Sequence, residues 1–426
     1  MSNIVEHRKF VCVNFDNTNT NKIWNITLHD NGDVLVEYAR VGQTLKPHLR
    51  PSAGKKKFDS LIRSKTNPKN KPDKLYTENL TIASQGAKTV SSGQLHNIAK
   101  KQIKTTSPLV QKLIDFCVQV NAHQIAGISG GSIQYVDGQF QTPQGIIIPS
   151  QVQEARTLLD KMVNAVVSDS WANTDLTYLN GYLRLIPHAV GMKKITPERV
   201  FPNKDSLKKE NDLLTGLESS FIDAQNQPDD KKIDEPKIFE VEIEVLQDNK
   251  EWDRIKAYYE KTKKRMHSSS RYKLKKVYTV KIASESKPFE QISQQIGNIK
   301  QLFHGTSCSN VLSILKQGLV IPPSSSPHVT GRLAGNGVYG SDISSKALNY
   351  ATNFWGNKGN TSRIFMFLCN FSMGKIYYSK GYGDYKTPSD GYDSTFMEGG
   401  KHGLYNNEMI VYRVDQVKLN YLLEFE

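Results

Sequence analysis

The segment Leu404-Tyr405-Asn406-Asn407-Glu408-Met409-Ile410-Val411-Tyr412 is the stretch from which the fold can be argued most directly. Its second half is apolar and contains β-branched and aromatic side chains, which is typical of a buried strand. Glu408 stands where the polar half meets that strand. An acid at a strand end is most often a solvated edge residue, so the segment needs partners elsewhere in the chain before it indicates chemistry.

Three further motifs precede this segment in the last third of the chain. Phe303-His304-Gly305-Thr306 predicts a strand that ends in a histidine and a flexible glycine. A glycine-rich loop, Gly335-Asn336-Gly337-Val338-Tyr339-Gly340, comes next. A helix is then predicted with Asp342 or Ser341 as its N-cap and with one shared face. The residues of that face are Ile343, Ala347, Tyr350 and Phe354.

The glycine-rich loop also matches the G-x-G-x-x-G pattern of dinucleotide-binding folds. That pattern needs a strand before it and an acidic residue about 20 positions later. Here the proline- and serine-rich stretch 322–328 precedes it, and no acid occurs between Asp342 and Asp384. Neither H-R-D nor D-F-G follows, so a kinase is not indicated either. We expect the glycines to let the loop pass close to a ligand.

Taken together and in order, the motifs resemble the catalytic domain of the poly(ADP-ribose) polymerases. That family carries a His-Gly-(Ser/Thr) strand end, a Gly-x-Gly-(Ile/Val)-Tyr loop, a Ser-Lys-x-x-Asn-Tyr helix and an Asn-Glu-x-Ile-Val-Tyr strand. Here they read His304-Gly305-Thr306, Gly335 to Tyr339, Ser345 to Tyr350 and Asn407 to Tyr412. The resemblance implies a mixed-sheet ADP-ribosyltransferase domain over residues 237–426, with NAD⁺ as substrate and no metal.

The resemblance also implies a role for each matched residue. His304, Tyr339 and Glu408 would be catalytic, with Glu408 binding the nicotinamide-ribose 2′-hydroxyl and favouring the cationic transition state. Tyr339 and Tyr350 would flank the nicotinamide ring, where stacking suits a planar aromatic cation. The implied NAD⁺-binding residues are His304, Gly305, Thr306, Asn310, Arg332, Tyr339, Lys346, Ala347 and Tyr350.

Two departures from the family's pattern lie in this domain. Ala347 stands where the family usually has a serine whose hydroxyl binds the carboxamide of nicotinamide. One hydrogen bond, worth about 0.5–1.5 kcal/mol net, would be missing. Arg332 stands where an aromatic residue is common.

The middle of the chain predicts helices over residues 107–226. Ser150 and Gln153 fit a capping box. One apolar stripe behind it comprises Val152, Ala155, Leu159, Met162, Val163 and Val166, and a second comprises Leu207, Leu214, Leu217 and Phe221. Leu185-Ile186-Pro187-His188 and Gly191-Met192-Lys193-Lys194 resemble the family's helical regulatory domain, which implies an all-α bundle.

The first zone, residues 1–82, predicts strands and a short helix around Phe58. Asn31-Gly32 predicts a two-residue hairpin turn between strands 22–28 and 34–38. The zone resembles the family's WGR domain, although Trp-Gly-Arg reads Tyr38-Ala39-Arg40. Tyr38 could stack on a nucleic-acid end and Arg40 could reach phosphate. Residues 83–106, rich in Ser, Gly, Gln, Lys and Thr, predict a linker.

Charge agrees with a phosphate-rich partner for the first zone. The net charge is +14, and residues 1–104 hold 18 Lys and Arg against 8 Asp and Glu. A merely basic, soluble surface explains that charge equally well. The four cysteines form no C-x-x-C pair, which favours a reducing compartment and no zinc finger. Neither a secretory signal nor a membrane span is predicted.

The sequence therefore predicts a multidomain α+β protein with a small β-rich WGR-like domain, an all-α regulatory bundle and a mixed-sheet catalytic domain. The expected function is a poly(ADP-ribose) polymerase that is activated by DNA ends or nicks and modifies proteins, including itself. We expect a monomer, nuclear in a eukaryote and otherwise cytoplasmic or at the nucleoid. Two alternatives stay open: a mono-ADP-ribosyltransferase acting on protein or nucleic acid, and an inactive module that binds nucleic acid or protein.

Overall fold

The computed structural model describes residues 2–14, 20–78, 99–136, 139–142, 145–191, 196–219, 239–321, 335–352, 363–379, 388–401 and 404–426. The chain divides into two compact units. The first unit comprises Met1–Gly93 and Ala122–Phe221, and the second comprises Gln94–Asn121 and Ile222–Glu426. Within the described part of the chain, no helix has both the length and the apolarity that crossing a membrane requires.

The first unit opens with an antiparallel five-stranded sheet and one helix. The elements are β1 (Ile4–Asn14), β2 (Thr20–His29), β3 (Val34–Arg40), β4 (Lys46–Arg50), α1 (Gly54–Thr66) and β5 (Thr77–Glu78). The strands lie in the order β4-β3-β2-β1-β5. Phe58 and Ile62 of α1 pack with Phe10 and Trp24 in the core of the sheet. The predicted strands 22–28 and 34–38 and the predicted helix are confirmed.

The connection between β2 and β3 differs from the predicted two-residue turn. The amide of His29 donates to the carbonyl of Asp33 at 2.9 Å, which leaves a three-residue loop ending at Gly32 with φ +83°. Asn31 keeps a negative φ, whereas a two-residue type I′ turn needs positive φ at both residues. Its side-chain oxygen accepts from the amide of Asp33 at 3.1 Å, which stabilises the longer loop.

The next helices supply the second core of the first unit. The elements are the end of α2 (Pro108–Ile128), which belongs to this unit from Ala122 onward, and β6 (Gln134–Val136), β7 (Gln139–Thr142), β8 (Gly145–Ile146), α3 (Pro149–Ser168), α4 (Asn173–Leu185), α5 (Pro197–Val200) and α6 (Lys204–Ser219). Both predicted apolar stripes are buried where the structure describes them. Phe221 lies outside the described residues, as do Met192, Lys193 and Lys194.

Two predictions for this region are wrong. It is not all-α, because β6, β7 and β8 form a three-stranded antiparallel sheet. Gly130 and Gly131, with φ of +62° and +82°, follow the end of α2 and turn the chain towards this sheet. The capping box is also absent, since α3 begins at Pro149 with Ile148 as its N-cap and no side-chain cap. Proline at the first helical position starts the helix before Ser150 can cap it.

The part of the second unit described from residue 239 onward contains two sheets and four α-helices. Its strands and helices are β9 (Val241–Val245), α7 (Asn249–Lys261), β10 (Leu274–Ile282), α8 (Ala283–Ile296), β11 (Ile299–Gly305), α9 (Val311–Gln317), β12 (Val338–Gly340), α10 (Ser344–Ala351), β13 (Ile364–Ser372), β14 (Ile376–Tyr378), β15 (Ser394–Met397), β16 (Glu408–Val411) and β17 (Val417–Phe425). The strand predicted to end at His304 and Gly305 and the strand predicted to follow Glu408 are confirmed as β11 and β16.

The two sheets of the second unit meet at the end of β11. One sheet has the order β11-β13-β17-β10-β9 and the other β12-β16-β15-β14. Among the described strands of these two sheets, β14 and β15 pair in parallel and the other strand pairs are antiparallel. Phe303 and Ser341 exchange backbone hydrogen bonds of 2.8 and 2.9 Å, which joins β11 to the residue that follows β12. The mixture of sheets and separate helices is the α+β arrangement that was predicted.

The end of the predicted linker is part of the second unit. Ala99 and Ile103 are buried, and the backbone of Lys104 bonds Val241 and Ile243 at 2.9 Å each. These residues therefore extend the edge at β9, which is why residues 99–106 do not behave as a linker. Residues 83–98 lie outside the described part of the chain.

Candidate active site

His304 lies near the end of β11, against the backbone of β12. Its Nδ1 is 2.9 Å from the carbonyl oxygen of Tyr339. Because a carbonyl oxygen only accepts, Nδ1 carries the hydrogen and donates it. Burial lowers the pKa of His304 below its usual 6.5, and the bond to Tyr339 opposes that shift only in part. His304 is therefore neutral at pH 7, with Nε2 as an acceptor.

Gly305 follows His304 and lies directly against helix α10. A Cβ atom on Gly305 would come within 1.6 Å of the carbonyl oxygen of Ala347. No side chain fits there, so this glycine is required by a close approach of two backbones. The contact brings the strand end with His304 and the helix with Ala347 into one site.

Helix α10 begins later than the sequence suggested. Its N-cap is Ile343, whereas Ser341 and Asp342 were the predicted caps. The hydroxyl of Ser341 accepts from the amide of Ile343 at 3.1 Å and so holds a turn ahead of the helix. The first helical residue, Ser344, donates to the carbonyl of Tyr259 at 2.7 Å, which anchors the helix end.

Two tyrosines flank this region, one on β12 and one on α10. The hydroxyl of Tyr339 donates to the carbonyl of Gly335 at 2.8 Å, which folds the glycine-rich loop back onto its own strand. Tyr350 is 36% exposed, three residues after Ala347 on the same helix. Partial burial, followed by the negative charge of Glu408, raises the pKa of Tyr350 to about 12, so its hydroxyl stays protonated. Phe354 of the predicted face lies outside the described residues.

Glu408 begins β16, as predicted, and forms an ion pair with Lys346 of α10. The Nζ atom of Lys346 is 2.6 Å from Oε2 of Glu408 and 2.6 Å from the carbonyl oxygen of Asn407. The side chains of Lys346 and Glu408 are only 9% and 12% exposed. Burial raises the pKa of Glu408, Lys346 lowers it and Asp342 raises it, with a net rise. The pair is therefore a shielded carboxylate with one fixed counter-charge.

Thr306 and Asn310 form a short polar turn after β11. The side-chain amide of Asn310 donates to the hydroxyl of Thr306 at 3.2 Å. Oδ1 of Asn310 is buried and has no hydrogen-bond partner. A buried acceptor without a partner costs about 1–3 kcal/mol, so this atom suits a donor from a bound molecule. Arg332 lies outside the described residues.

The structure thus links the predicted residues through three contacts. His304 contacts Tyr339, Gly305 contacts Ala347, and Lys346 contacts Glu408. Sequence reasoning missed the contacts of Asp342 and Asn407, although Asn407 opens one of the motifs and Asp342 lies between two of them. Among the described residues, no three His, Cys, Asp or Glu side chains are grouped as metal ligands would be.

The two predicted DNA-binding residues lie on β3 in the first unit. The side chain of Tyr38 is 49% exposed, as stacking on a nucleic-acid end would require. Nη2 of Arg40 donates to the carbonyl of Gly191 at 3.2 Å. In this structure Arg40 therefore ties β3 to the segment after α4, within the same unit.

Comparison with known proteins agrees with the motifs. Residues 249–426 match the family model described as the poly(ADP-ribose) polymerase catalytic domain. The chain is 27% identical over 383 residues to Poly [ADP-ribose] polymerase 1 of Gallus gallus, covering 79% of this chain and 35% of that relative. It is 28% identical over 321 residues to Poly [ADP-ribose] polymerase 2 of Arabidopsis thaliana, covering 66% and 49%. This chain thus spans half or less of the length of either relative.

A third relative is covered over most of its own length. The chain is 35% identical over 159 residues to Putative poly [ADP-ribose] polymerase-like 100L of Invertebrate iridescent virus 6, covering 35% of this chain and 83% of that relative. The family model also covers every described residue of the site from His304 to Glu408. On these grounds the chain belongs to the poly(ADP-ribose) polymerase family.

Proposed function

We propose that this chain is an NAD⁺-dependent ADP-ribosyltransferase that builds poly(ADP-ribose) on protein acceptors, itself included, and responds to DNA breaks. The observation that carries the proposal is the shielded carboxylate of Glu408, held by Lys346 on the helix that also contacts Gly305. One helix thereby contacts both the strand end at Gly305 and the acid. Family membership supports the same reaction.

The reaction replaces nicotinamide with an acceptor oxygen on the anomeric carbon of ribose, C1′. The bond between nicotinamide nitrogen and ribose C1′ breaks, and nicotinamide leaves with the bonding electron pair. The acceptor oxygen bonds to C1′ and gives up its proton. Because C1′ is oxocarbenium-like in the transition state, a nearby negative charge stabilises it, as in glycoside hydrolysis.

The residues around the NAD⁺ site have roles that match their observed states. Neutral His304 offers Nε2 to a hydroxyl of the adenine-side ribose. Gly305 offers its backbone amide and carbonyl to the carboxamide, and Tyr339 and Tyr350 stack on the ring. The unpartnered Oδ1 of Asn310 suits a donor on the adenine side. These contacts orient the bond that breaks.

Glu408 has two proposed tasks. Lys346 contacts its Oε2, so Oε1 is the oxygen proposed to accept from the nicotinamide-ribose 2′-hydroxyl. The same carboxylate positions the ribose hydroxyl of a growing chain and takes its proton, which is assisted by the raised pKa of Glu408. The proposal that this chain extends a polymer depends on this carboxylate.

The first quarter of the chain supports a role in sensing DNA. Residues 1–104 hold 18 Lys and Arg against 8 Asp and Glu, which favours a phosphate-rich partner, and Tyr38 presents an exposed ring. We propose residues 1–82 as the WGR-like DNA-binding domain and the helices of 107–226 as the regulatory domain. The nucleus of a eukaryotic host, or otherwise the cytoplasm or nucleoid, is where such DNA would be met.

The test is NAD⁺ turnover by the full chain with and without nicked or blunt-ended DNA, with products resolved on a gel. A ladder of products that depends on DNA supports the proposal. A single discrete shift would indicate mono-ADP-ribosylation, and no modification would indicate a binding module. Stimulation should fall in Tyr38→Ala, whereas equal activity with and without DNA would reject DNA sensing.

A further inference from the structure

Asn407, the residue before the proposed catalytic acid, is held on three sides. Its Nδ2 donates to Oδ2 of Asp342 at 2.8 Å, and its Oδ1 accepts from the amide of Gly399 at 2.8 Å. Its carbonyl oxygen accepts from Nζ of Lys346 at 2.6 Å. A Cβ on Gly399 would lie 2.7 Å from the backbone of Asn406, so only glycine allows that approach. The start of β16 is therefore fixed by side chains as well as by the sheet.

Lys346 connects Asn407 to Glu408. Its ammonium lies between the carbonyl of Asn407 and the carboxylate of Glu408, at 2.6 Å from each. Lys346 is 7% exposed, so water does not substitute readily for either partner. A shift of the Asn407 carbonyl would therefore move the Lys346 ammonium, and a shift of the ammonium would move the carboxylate of Glu408.

Asp342 supplies the anchor for this chain of contacts. Its Oδ2 holds Asn407, while its Oδ1 is buried without a hydrogen-bond partner. A structural role would be expected to satisfy both oxygens, because an unsatisfied buried acceptor is costly. The side chain of Asp342 is instead held by Asn407 at one oxygen alone, beside the helix that carries Lys346.

We propose that Asp342 and Asn407 are positioning residues for the reaction: Asp342 fixes Asn407, whose carbonyl places the Lys346 ammonium that orients Glu408. The inference rests on the proposed function. Neither residue is proposed to touch NAD⁺. Asp342 has a second effect through its charge, which opposes ionisation of Glu408.

The groups that set the ionisation of Glu408 come from three parts of the second unit. Lys346 and Tyr350 face it from α10, and Asp342 faces it from the turn before that helix. Burial, followed by the charges of Lys264 and Lys346, lowers the pKa of His267, and its Nε2 is 3.1 Å from Nδ2 of Asn406. Among these, Asp342 raises the pKa of Glu408 and Lys346 lowers it.

Two substitutions separate position from charge. Asp342→Asn keeps an oxygen that accepts from Asn407 but removes the negative charge. Since that charge raises the pKa of Glu408, its loss should lower this pKa and move the acid limb of kcat to lower pH. Asp342→Ala also removes the acceptor, so kcat should fall about 10- to 100-fold with KM for NAD⁺ little changed. Asp415→Asn, the same change beside exposed Arg413, is the matched control and should alter neither.

The experiment measures kcat and KM for NAD⁺ against pH in the full chain, together with the ¹³C titration of the Glu408 carboxyl. The resonance of Glu408 is assigned by its loss in Glu408→Gln, and near-ultraviolet circular dichroism verifies folding. A lower titration midpoint in Asp342→Asn is expected. An unchanged midpoint would overturn the effect of the Asp342 charge, and a folded Asp342→Ala with the wild-type kcat would overturn its positioning role. If Asp342→Ala does not fold, a kcat about 10- to 100-fold lower in Asp342→Asn at its optimal pH, although the acceptor is kept, would overturn that role. Because the titration needs no turnover, an inactive wild-type chain would reject the proposed function separately.

Discussion

Ala347 stands where the family usually carries a serine, and it is 3% exposed on the face of α10 that meets Gly305. Ala347→Ser should tighten binding of benzamide-type nicotinamide mimics by about 2- to 12-fold, because one hydrogen bond to the carboxamide is restored. Direct titration of the inhibitor by calorimetry, in the wild type and the variant, measures the change.

The structure also identifies a competing partner for that new hydroxyl. The amide of Ala347 already donates to the carbonyl of Ile343 at 3.2 Å, and a buried helical serine can bond the same carbonyl. Unchanged or weaker affinity would mean that the hydroxyl turns towards Ile343 and that the pocket holds the carboxamide by other groups.

Residue types along the chain were enough to single out His304, Tyr339 and Glu408, because their motifs occur in order. Their catalytic roles stay predictions. The part played by Asp342 was not foreseen, since the sequence suggested a helix cap for it. Asp342 contacts Asn407, a residue far away in the sequence. A local sequence pattern does not encode such a contact, because it depends on how the whole domain folds.

At the scale of elements, the site depends on how closely β11 approaches α10. Gly305→Ala places a Cβ 1.6 Å from the carbonyl of Ala347, which is backbone and cannot rotate away. The strand and helix must separate, so we expect a loss of about 1–3 kcal/mol in the free energy of unfolding and a fall in NAD⁺ turnover. Chemical denaturation and a nicotinamide-release assay measure the two effects.

Gly127→Ala is the matched control for that substitution. Gly127 lies inside α2 with no atom within 4 Å of the added Cβ. Alanine should stabilise this helix by up to about 1 kcal/mol and leave turnover unchanged. Equal stability and activity of Gly305→Ala and the wild type would show that the two backbones are not in contact.

Elements with a strong local pattern were predicted correctly, and those with a weak one were not. The strands predicted at 22–28 and after Glu408 have a clear apolar pattern and were found as β2 and β16. Helix α7 was missed because most of its residues are charged and only Ile255 and Tyr259 are buried. Helix α8 contains Pro288, which normally argues against a helix interior, although Phe289 and Ile292 still bury one face.

At the scale of the whole molecule, the compact units do not follow the predicted domain boundaries. Residues 94–121 belong with 222–426, and residues 122–221 belong with 1–93. In the second unit, Sγ of Cys117 lies 4.0 Å from Sγ of Cys308 and Phe116 packs against Phe365. Such contacts between residues far apart in sequence leave no local signal, so a boundary inside α2 could not be predicted.

The division changes how autoinhibition by the helical region should be tested. The resemblance implies that these helices restrain the enzyme until DNA binds, a coupling of typically about 1–3 kcal/mol. We expect a second unit made by joining 94–121 to 222–426 through a Gly/Ser linker to turn over NAD⁺ without DNA, as fast as the DNA-stimulated full chain. Turnover kinetics on matched concentrations measure this.

A deletion of residues 107–226 is the informative comparison. It also removes Leu113, Ile114 and Cys117, which are buried in the second unit. That form should be less stable or insoluble, whereas the joined second unit should fold. A folded second unit that is as slow as the unstimulated full chain would reject autoinhibition and leave the catalytic proposal untouched.

The central claim is that this chain breaks the nicotinamide bond of NAD⁺ and that Glu408 carries the transfer. The most direct measurement follows nicotinamide release and attachment of labelled ADP-ribose, in the presence of DNA ends, for the wild type and Glu408→Gln. The account predicts equimolar release and transfer into a polymer by the wild type. It also predicts loss of polymer in a folded Glu408→Gln, since the charge at the forming cation is gone. Polymer formation by Glu408→Gln at the wild-type rate, or no release by the wild type, would contradict it.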